Sequence, residues 1–107
     1  MEKISPKRRV VITGLGILHS LGNDIQSFWD NLLAGQSGIK KISRWDPSEF
    51  PTQIGAEVLD FDPRDYMDAK EVRRNDRYTH FALAASKIAI KDSQLDFCKE
   101  DKERVGT

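Results

Sequence analysis

The chain has 107 residues, with 17 Lys and Arg balanced by 17 Asp and Glu, so its formal net charge is zero. This balance argues against a nucleic-acid-binding protein, which usually has a basic excess on one face, and nine aromatic residues argue against a disordered chain. The longest apolar run, residues 81–85, is far shorter than the ~20 residues that span a bilayer, and the length fits one small globular domain.

The first predicted elements are a strand and a helix. Residues 10–13 form a β-branched run that stops at the glycine-containing segment 14–16, as a buried strand does when it ends in a tight turn. Asn23 is suited to cap a helix, apolar residues then recur at helical spacing, and Gly35 follows where a C-terminal glycine belongs. The pattern predicts a helix over 23–34 with one wide apolar face.

The rest of the chain divides into an irregular stretch and a long helix. Residues 36–67 contain three prolines and predict only a short strand over 54–58. Asp68 is suited to cap a helix extending from about 69 to 92, whose alanines form a small-residue face for close packing. Residues 105–107 resemble the opening of a second strand.

The order of these elements is that of an α/β fold. A strand, a helix, an irregular insertion, a long helix and the start of another strand are the parts of a parallel sheet whose strands are joined through helices. Such a sheet is covered by helices on both faces, and one complete strand is too little for the helices to pack on. We therefore expect residues 1–107 to be the N-terminal portion of a larger domain, truncated at its C-terminal end.

A nucleotide site is the first candidate for chemistry. Gly14 and Gly16 match the first two glycines of the dinucleotide-binding pattern G-x-G-x-x-G, but His19 occupies the position of the third. We therefore favour a tight turn without a ligand over a nucleotide-binding α/β module.

The single cysteine and the two histidines are the second candidate. Cys98 follows the long helix among acidic residues, which oppose formation of a thiolate, and it has no partner for an internal disulfide. His19 lies in the turn after the first strand and His80 on the long helix, so we expect no catalytic, metal or cofactor site here. We expect a cytoplasmic protein for two reasons. A single cysteine cannot form an internal disulfide, which fits a reducing compartment, and the basic segment over 1–9 is too short for a targeting signal.

The more specific feature is a basic patch, consisting of Lys70, Arg73 and Arg74, in the first turns of the long helix. These residues are spaced i, i+3 and i+4, so their side chains share one helical face. Cations near a helix N-terminus oppose the helix dipole, which makes their placement slightly unfavourable for stability. The simpler interpretation is a solvated face with Glu71 and Asp76 as partners, and the alternative is a docking surface for an acidic partner.

Four separated blocks of the sequence, in order, closely resemble the N-terminus of the β-ketoacyl-[acyl-carrier-protein] synthase II family of condensing enzymes. The blocks are residues 8–16, 28–39, 60–62 and 70–77, and the resemblance extends over essentially all of 8–107. One departure is His19-Ser20, where relatives more often have Ser or Thr followed by Pro or Ala. This difference affects a turn only.

The resemblance implies a thiolase-like fold and an acyltransferase of fatty acid biosynthesis. In this family a cysteine accepts the acyl chain from acyl carrier protein, malonyl-acyl carrier protein decarboxylates beside it in a Claisen condensation, and two histidines assist. These residues lie beyond Thr107 in the family, so we expect this chain alone to be inactive. The resemblance also implies that the full-length enzyme is a homodimer. A non-catalytic chain-length-factor-like relative, or a polyketide ketosynthase, is compatible with the same blocks.

The resemblance also gives the basic patch a function. In relatives the corresponding helix contacts the acidic recognition helix of acyl carrier protein, and Lys70, Arg73 and Arg74 occupy the matching positions. The helical spacing and the resemblance therefore both predict that this patch docks acyl carrier protein.

Overall fold

The computed structural model describes residues 7–106, which contain three helices and one two-stranded sheet. In chain order the elements are α1 (Ile25–Leu33), β1 (Ile39–Lys41), β2 (Ile54–Ala56), α2 (Ala69–Arg74) and α3 (Arg77–Ser93), with short 3-10 turns at Pro63–Asp65 and Lys102–Arg104. No helix in this part of the chain has the length and apolar character needed to cross a membrane.

The predicted strand over 10–13 is not formed. Residues 7–18 have no regular secondary structure, and Val10 and Ile12 are 94% and 83% exposed. A strand requires a neighbouring strand to satisfy its backbone groups, and none lies beside this segment among the described residues. The β-branched run is therefore an unpaired segment with exposed apolar side chains.

Gly14 and Gly16 allow this segment to approach α3, and the predicted tight turn at these glycines is wrong. A Cβ atom added to Gly14 would lie 2.3 Å from the Ala89 carbonyl oxygen, and one on Gly16 would lie 2.0 Å from that of Ala85. The Leu15 amide also donates to Asp92 Oδ2 at 2.9 Å. The glycines thus face the small-residue side of α3, whose alanines were predicted to permit close packing. The turn comes later in the chain, between His19 and Gly22.

The cap of helix α1 lies one residue later than predicted, at Asp24 and not at Asn23, and the helix covers Ile25–Leu33 within the predicted range 23–34. The Asp24 carboxylate accepts from the Ser27 amide at 2.8 Å, whereas the Asn23 side chain donates to the Leu59 carbonyl at 2.7 Å. The predicted terminating glycine is confirmed, since Gly35 has a φ of +67° and its amide donates to the Leu32 carbonyl. Helix α1 contains no buried residue, so its wide apolar face is largely uncovered in the described part of the chain.

The irregular stretch contains a hairpin that the sequence predicted only in part. Strand β2 confirms a short strand near 54–58, and it pairs antiparallel with β1, which was not predicted, in the register Ile39 with Ala56 and Lys41 with Ile54. The parallel sheet that we expected from the order of elements is therefore absent from residues 7–106. Glu57, just after β2, accepts from the amide and hydroxyl of Ser43, which lies two residues after β1, and so adds a side-chain contact between the two arms of the hairpin.

The predicted long helix is broken into α2 and α3. Asp68 caps the first piece as predicted, accepting from the amides of Lys70 and Glu71. At Asn75 and Asp76 the backbone is extended, with ψ values of 151° and 164°, and α3 then begins at Arg77. The sequence Asn-Asp is a helix start signal within the pattern, and the helical periodicity alone did not reveal the break.

Few side chains are buried in the described residues. Only Pro47, Met67, His80 and Ala84 are buried among these residues, and the Cα radius of gyration is 19.2 Å, against about 13 Å for a compact domain of this length. Val105 and Gly106 are not in a strand, so the predicted strand opening is not seen, and Thr107 lies outside the described residues.

Candidate functional site

The basic patch lies on α2, a helix of six residues. All three of its members, Lys70, Arg73 and Arg74, are exposed, and Val72 is the one residue of α2 that is half-buried. Val72 is therefore the inward-facing residue of the helix, and the cationic side chains lie on its exposed surface. The spacing predicted this shared face, and the break after Arg74 leaves it intact.

The cations of the basic patch have no ion-pair partner among residues 7–106. The two ion pairs in this part of the chain join Arg64 to Asp62 and Lys99 to Asp96. Glu71 and Asp76, the partners in the simpler interpretation, thus lie more than 4.0 Å from the patch cations. The guanidinium and ammonium groups are free to meet carboxylates of another molecule.

The helix break also reverses the dipole argument for two of the three cations. Arg73 and Arg74 occupy the last turn of α2, where the negative end of the helix dipole favours a cation. Our expectation that the patch opposes the dipole assumed one uninterrupted helix and is wrong for these two residues. Their placement is locally favourable.

A short 3-10 turn precedes α2. In the 3-10 turn Pro63–Asp65, Arg64 and Asp62 form a bidentate pair, with contacts of 2.5–3.0 Å. These hydrogen bonds lower the pKa of Asp62 to about 2. Met67 is buried next to α2, and the Lys87 ammonium of α3 donates to the Tyr66 carbonyl. The backbone that leads into α2 is therefore held by side-chain contacts at several points.

The residues that end α2 were missed in the sequence. The Asn75 side chain donates to the Glu71 carbonyl at 2.9 Å, and Nε2 of buried His80 lies 3.1 Å from the Val72 carbonyl oxygen. Both carbonyls belong to the last turn of α2, where backbone donors run out. From the sequence we place His80 on the long helix and expect no catalytic or metal site there. In a continuous helix residues 72 and 80 would not meet, so the helical pattern gives no sign of this contact.

Arg77, at the start of α3, forms a second basic feature beside the hairpin. Its guanidinium lies 5.4 Å and 4.9 Å from the ring centroids of Phe61 and Phe81 and donates to the Val58 carbonyl at 3.1 Å. Burial, followed by the nearby charge of Arg44, lowers the pKa of Arg77. These contacts join α3 to the segment that follows β2 and occupy Arg77 inside the structure.

The cysteine and the histidines do not form a reactive cluster. Cys98 is exposed, and its amide donates to Asp96 Oδ1 at 3.0 Å. His19 lies at the start of the turn, and its ring packs edge-on against that of Phe28 with 5.0 Å between the ring centroids. His80 lies on α3 and is buried against α2. Within residues 7–106 no group of three or more His, Cys, Asp or Glu side chains is arranged to hold a metal ion.

Residues 7–107 match the family model described as the β-ketoacyl synthase N-terminal domain. The chain is 50% identical over 100 residues to 3-oxoacyl-[acyl-carrier-protein] synthase 2 of Coxiella burnetii, covering 94% of this chain and 24% of that protein. It is 42% identical over 103 residues to the protein of the same name from Staphylococcus aureus strain COL, covering 96% of this chain and 25% of that protein. The chain thus spans about a quarter of the length of these relatives.

A solved structure gives the same result. The ishigamide ketosynthase/chain length factor superimposes with a TM-score of 0.75 at 34% sequence identity, over 83% of this chain and 22% of that chain. The likeness covers most of the described elements and supports the thiolase-like fold expected from the resemblance. With a family model that matches residues 7–107, the chain belongs to the β-ketoacyl synthase family, in the region of its N-terminal domain.

Proposed function

We propose that this chain is part of a 3-oxoacyl-[acyl-carrier-protein] synthase, which elongates fatty acyl chains by decarboxylative Claisen condensation with malonyl-acyl carrier protein. The support is the identity of 42–50% to proteins named 3-oxoacyl-[acyl-carrier-protein] synthase 2 over nearly the whole chain. In this proposal the nucleophilic cysteine and the two histidines lie in the remainder of the protein. Cys98, His19 and His80 take no part in the condensation.

Within the enzyme, we propose that Lys70, Arg73 and Arg74 dock acyl carrier protein. The observation that carries this proposal is the exposure of all three cations on α2, without an ion-pair partner among the described residues. Exposed cations of this kind speed the encounter with an acidic partner and fix its orientation. Their contribution decreases as salt rises, since the screening length is about 10 Å at 0.1 M ionic strength.

Charge reversal in the full-length enzyme tests this docking function. In the proposed complex these three cations form ion pairs with carboxylates of acyl carrier protein, each contributing about 0.2–1 kcal/mol to binding. The triple variant Lys70→Glu, Arg73→Glu, Arg74→Glu loses all three. We expect kcat/KM for a carrier-bound acyl chain to fall by about threefold to a hundredfold, most strongly at low salt. The reaction with a small acyl thioester, which needs no carrier protein, retains its rate.

The matched control changes the same number of exposed cations elsewhere. Lys40 and Lys41 lie in β1 and Lys102 lies in the second 3-10 turn, and all three are exposed. Their replacement by Glu alters the net charge equally but leaves α2 unchanged. Equal losses in the patch variant and the control, or equal losses on both substrates, would contradict docking at α2.

We also propose that residues 1–107 are the first portion of a larger domain in a cytoplasmic, homodimeric enzyme. The exposed apolar side chains support the larger domain, because patches of this extent are covered in folded proteins. They lie in the segment before α1 and on its outer face: Val10, Val11, Ile12, Trp29, Leu32 and Leu33. Sedimentation of the full-length enzyme tests the dimer, and cell fractionation tests the location.

A non-catalytic, chain-length-factor-like protein or a polyketide ketosynthase is the second candidate. The observation that favours it is the structural likeness to the ishigamide ketosynthase/chain length factor. The chain-length-factor-like protein differs from the synthase in lacking the nucleophile, which lies outside this chain in either case, whereas a polyketide ketosynthase retains it and differs in its substrates. Condensation of acyl- and malonyl-carrier substrates by the purified full-length protein supports the synthase, and its complete absence supports the chain-length-factor-like protein.

A further inference from the structure

The break between α2 and α3 leaves a carbonyl group without a backbone donor. In a continuous helix the Val72 carbonyl would accept from the amide of residue 76, but Asn75 and Asp76 have extended backbone and lie outside both helices. The last carbonyls of a helix require other partners. The Glu71 carbonyl obtains one from within the same segment, the amide and side chain of Asn75.

His80 supplies the missing donor at Val72 from the other helix. Its side chain is 7% exposed, and its Nε2 atom lies 3.1 Å from the Val72 carbonyl oxygen. A carbonyl oxygen only accepts, so Nε2 carries the hydrogen and donates it. In an uninterrupted helix residues 72 and 80 would be about 12 Å apart along the axis, so this contact exists only because the helix is broken.

From this geometry, and on the basis of the proposed docking function, we infer that His80 is a positioning residue for the basic patch. Helix α2 has six residues, too few to be stable without tertiary contacts. Five of them are exposed, and Val72 is the inward one. The buried His80 holds the backbone at this residue and thereby fixes the direction in which Lys70, Arg73 and Arg74 point.

Two substitutions in the full-length enzyme separate this function from general stability. His80→Leu keeps an apolar side chain of similar bulk but removes the donor, and His80→Gln places an amide N–H near the position of Nε2. We expect His80→Leu to raise KM for carrier-bound acyl chains by about threefold to tenfold, with kcat changed by less than about twofold. His80→Gln restores KM, and the small acyl thioester reacts normally with both variants.

Ile88→Ala is the matched control, because Ile88 is half-buried on α3 but lies beside Asp65 and Tyr66 and not beside α2. It lowers the midpoint of thermal unfolding without a selective rise in the carrier KM. If His80→Leu does not fold, His80→Asn replaces it, since the shorter amide ends near the position of Nδ1 and does not reach Val72. A selective rise in KM for either variant, together with a normal KM in His80→Gln, supports the inference.

The charge-reversal variant, measured in the same assay, distinguishes failure of this inference from failure of the docking proposal. An unchanged carrier KM in His80→Leu, when charge reversal raises it, overturns the function of His80 and leaves docking at α2 standing. If the carrier KM is unchanged in His80→Leu and in the charge-reversal variant, both the function of His80 and docking at α2 are overturned. A rise in His80→Leu that His80→Gln fails to restore also overturns the inference, because the lost hydrogen bond is then not its cause.

Discussion

Replacing Gly16 by Ala tests the close approach of the N-terminal segment to α3. The added Cβ would lie 2.0 Å from the Ala85 carbonyl oxygen and 2.8 Å from the Ala89 amide nitrogen. The contacting atoms belong to the helix backbone, which cannot rotate away as a side chain can. A carbon and a carbonyl oxygen approach to about 3.3 Å at closest, so the segment and the helix must separate by about 1 Å.

Two opposing effects determine the size of the change in stability. Overpacking of this kind costs about 1–3 kcal/mol, and loss of dispersion contacts along the widened gap adds to it. The unfolded chain becomes less flexible with Ala, which favours folding by about 0.4–1 kcal/mol. The steric term is larger, so we expect Gly16→Ala to lower the free energy of unfolding by about 1–2 kcal/mol.

Urea denaturation of the full-length protein measures this difference, with Gly106→Ala as the control. A Cβ on Gly106 meets nothing within 4 Å, so only the unfolded-state effect applies and the variant is unchanged or slightly more stable. If Gly16→Ala unfolds at the same urea concentration as Gly106→Ala, the segment does not lie against α3 as described. A free energy of unfolding that is lower for Gly16→Ala than for Gly106→Ala supports the close approach of the segment to α3.

Other consequences of the structure can be measured in the same way. Asp24→Ala removes the α1 cap and should lower the free energy of unfolding by about 1 kcal/mol, whereas under the original prediction Asn23 would be the sensitive residue. Gly35→Ala should cost about 1 kcal/mol, because its φ of +67° disfavours a side chain although no atom obstructs one. Hydrogen bonds from Arg64 lower the pKa of Asp62 from 3.8 to about 2, so the contribution of the ionised carboxylate to stability is present above about pH 4 and is lost as the pH falls through about 2. Asp62→Asn should therefore make the free energy of unfolding less dependent on pH over that interval. A pH profile identical to that of the unsubstituted protein would contradict the pairing. Residues 1–107 expressed alone should show no cooperative thermal transition, and a sharp one would contradict the incomplete domain.

Local signals in the sequence predicted those features whose causes lie within a few residues. The Gly35 termination, the Asp68 cap and the shared face of the basic patch depend on neighbouring residues, and all three are present. The motif blocks also led to the β-ketoacyl synthase family, which the family model matches over residues 7–107.

The errors concern features that depend on distant parts of the chain. A β-branched run becomes a strand only beside another strand, and residues 10–13 have none in the described part. The periodicity of a helix likewise continues across Asn75 and Asp76, although the backbone there is extended.

The family, the local helix ends and the basic face of a chain with zero net charge could thus be read from the amino-acid sequence. The separation of α2 from α3, the approach of Gly14 and Gly16 to α3 and the contact between His80 and Val72 became visible only in the folded chain. Caps and helical spacing act over about four residues, whereas these contacts join groups that become neighbours only after the chain has folded.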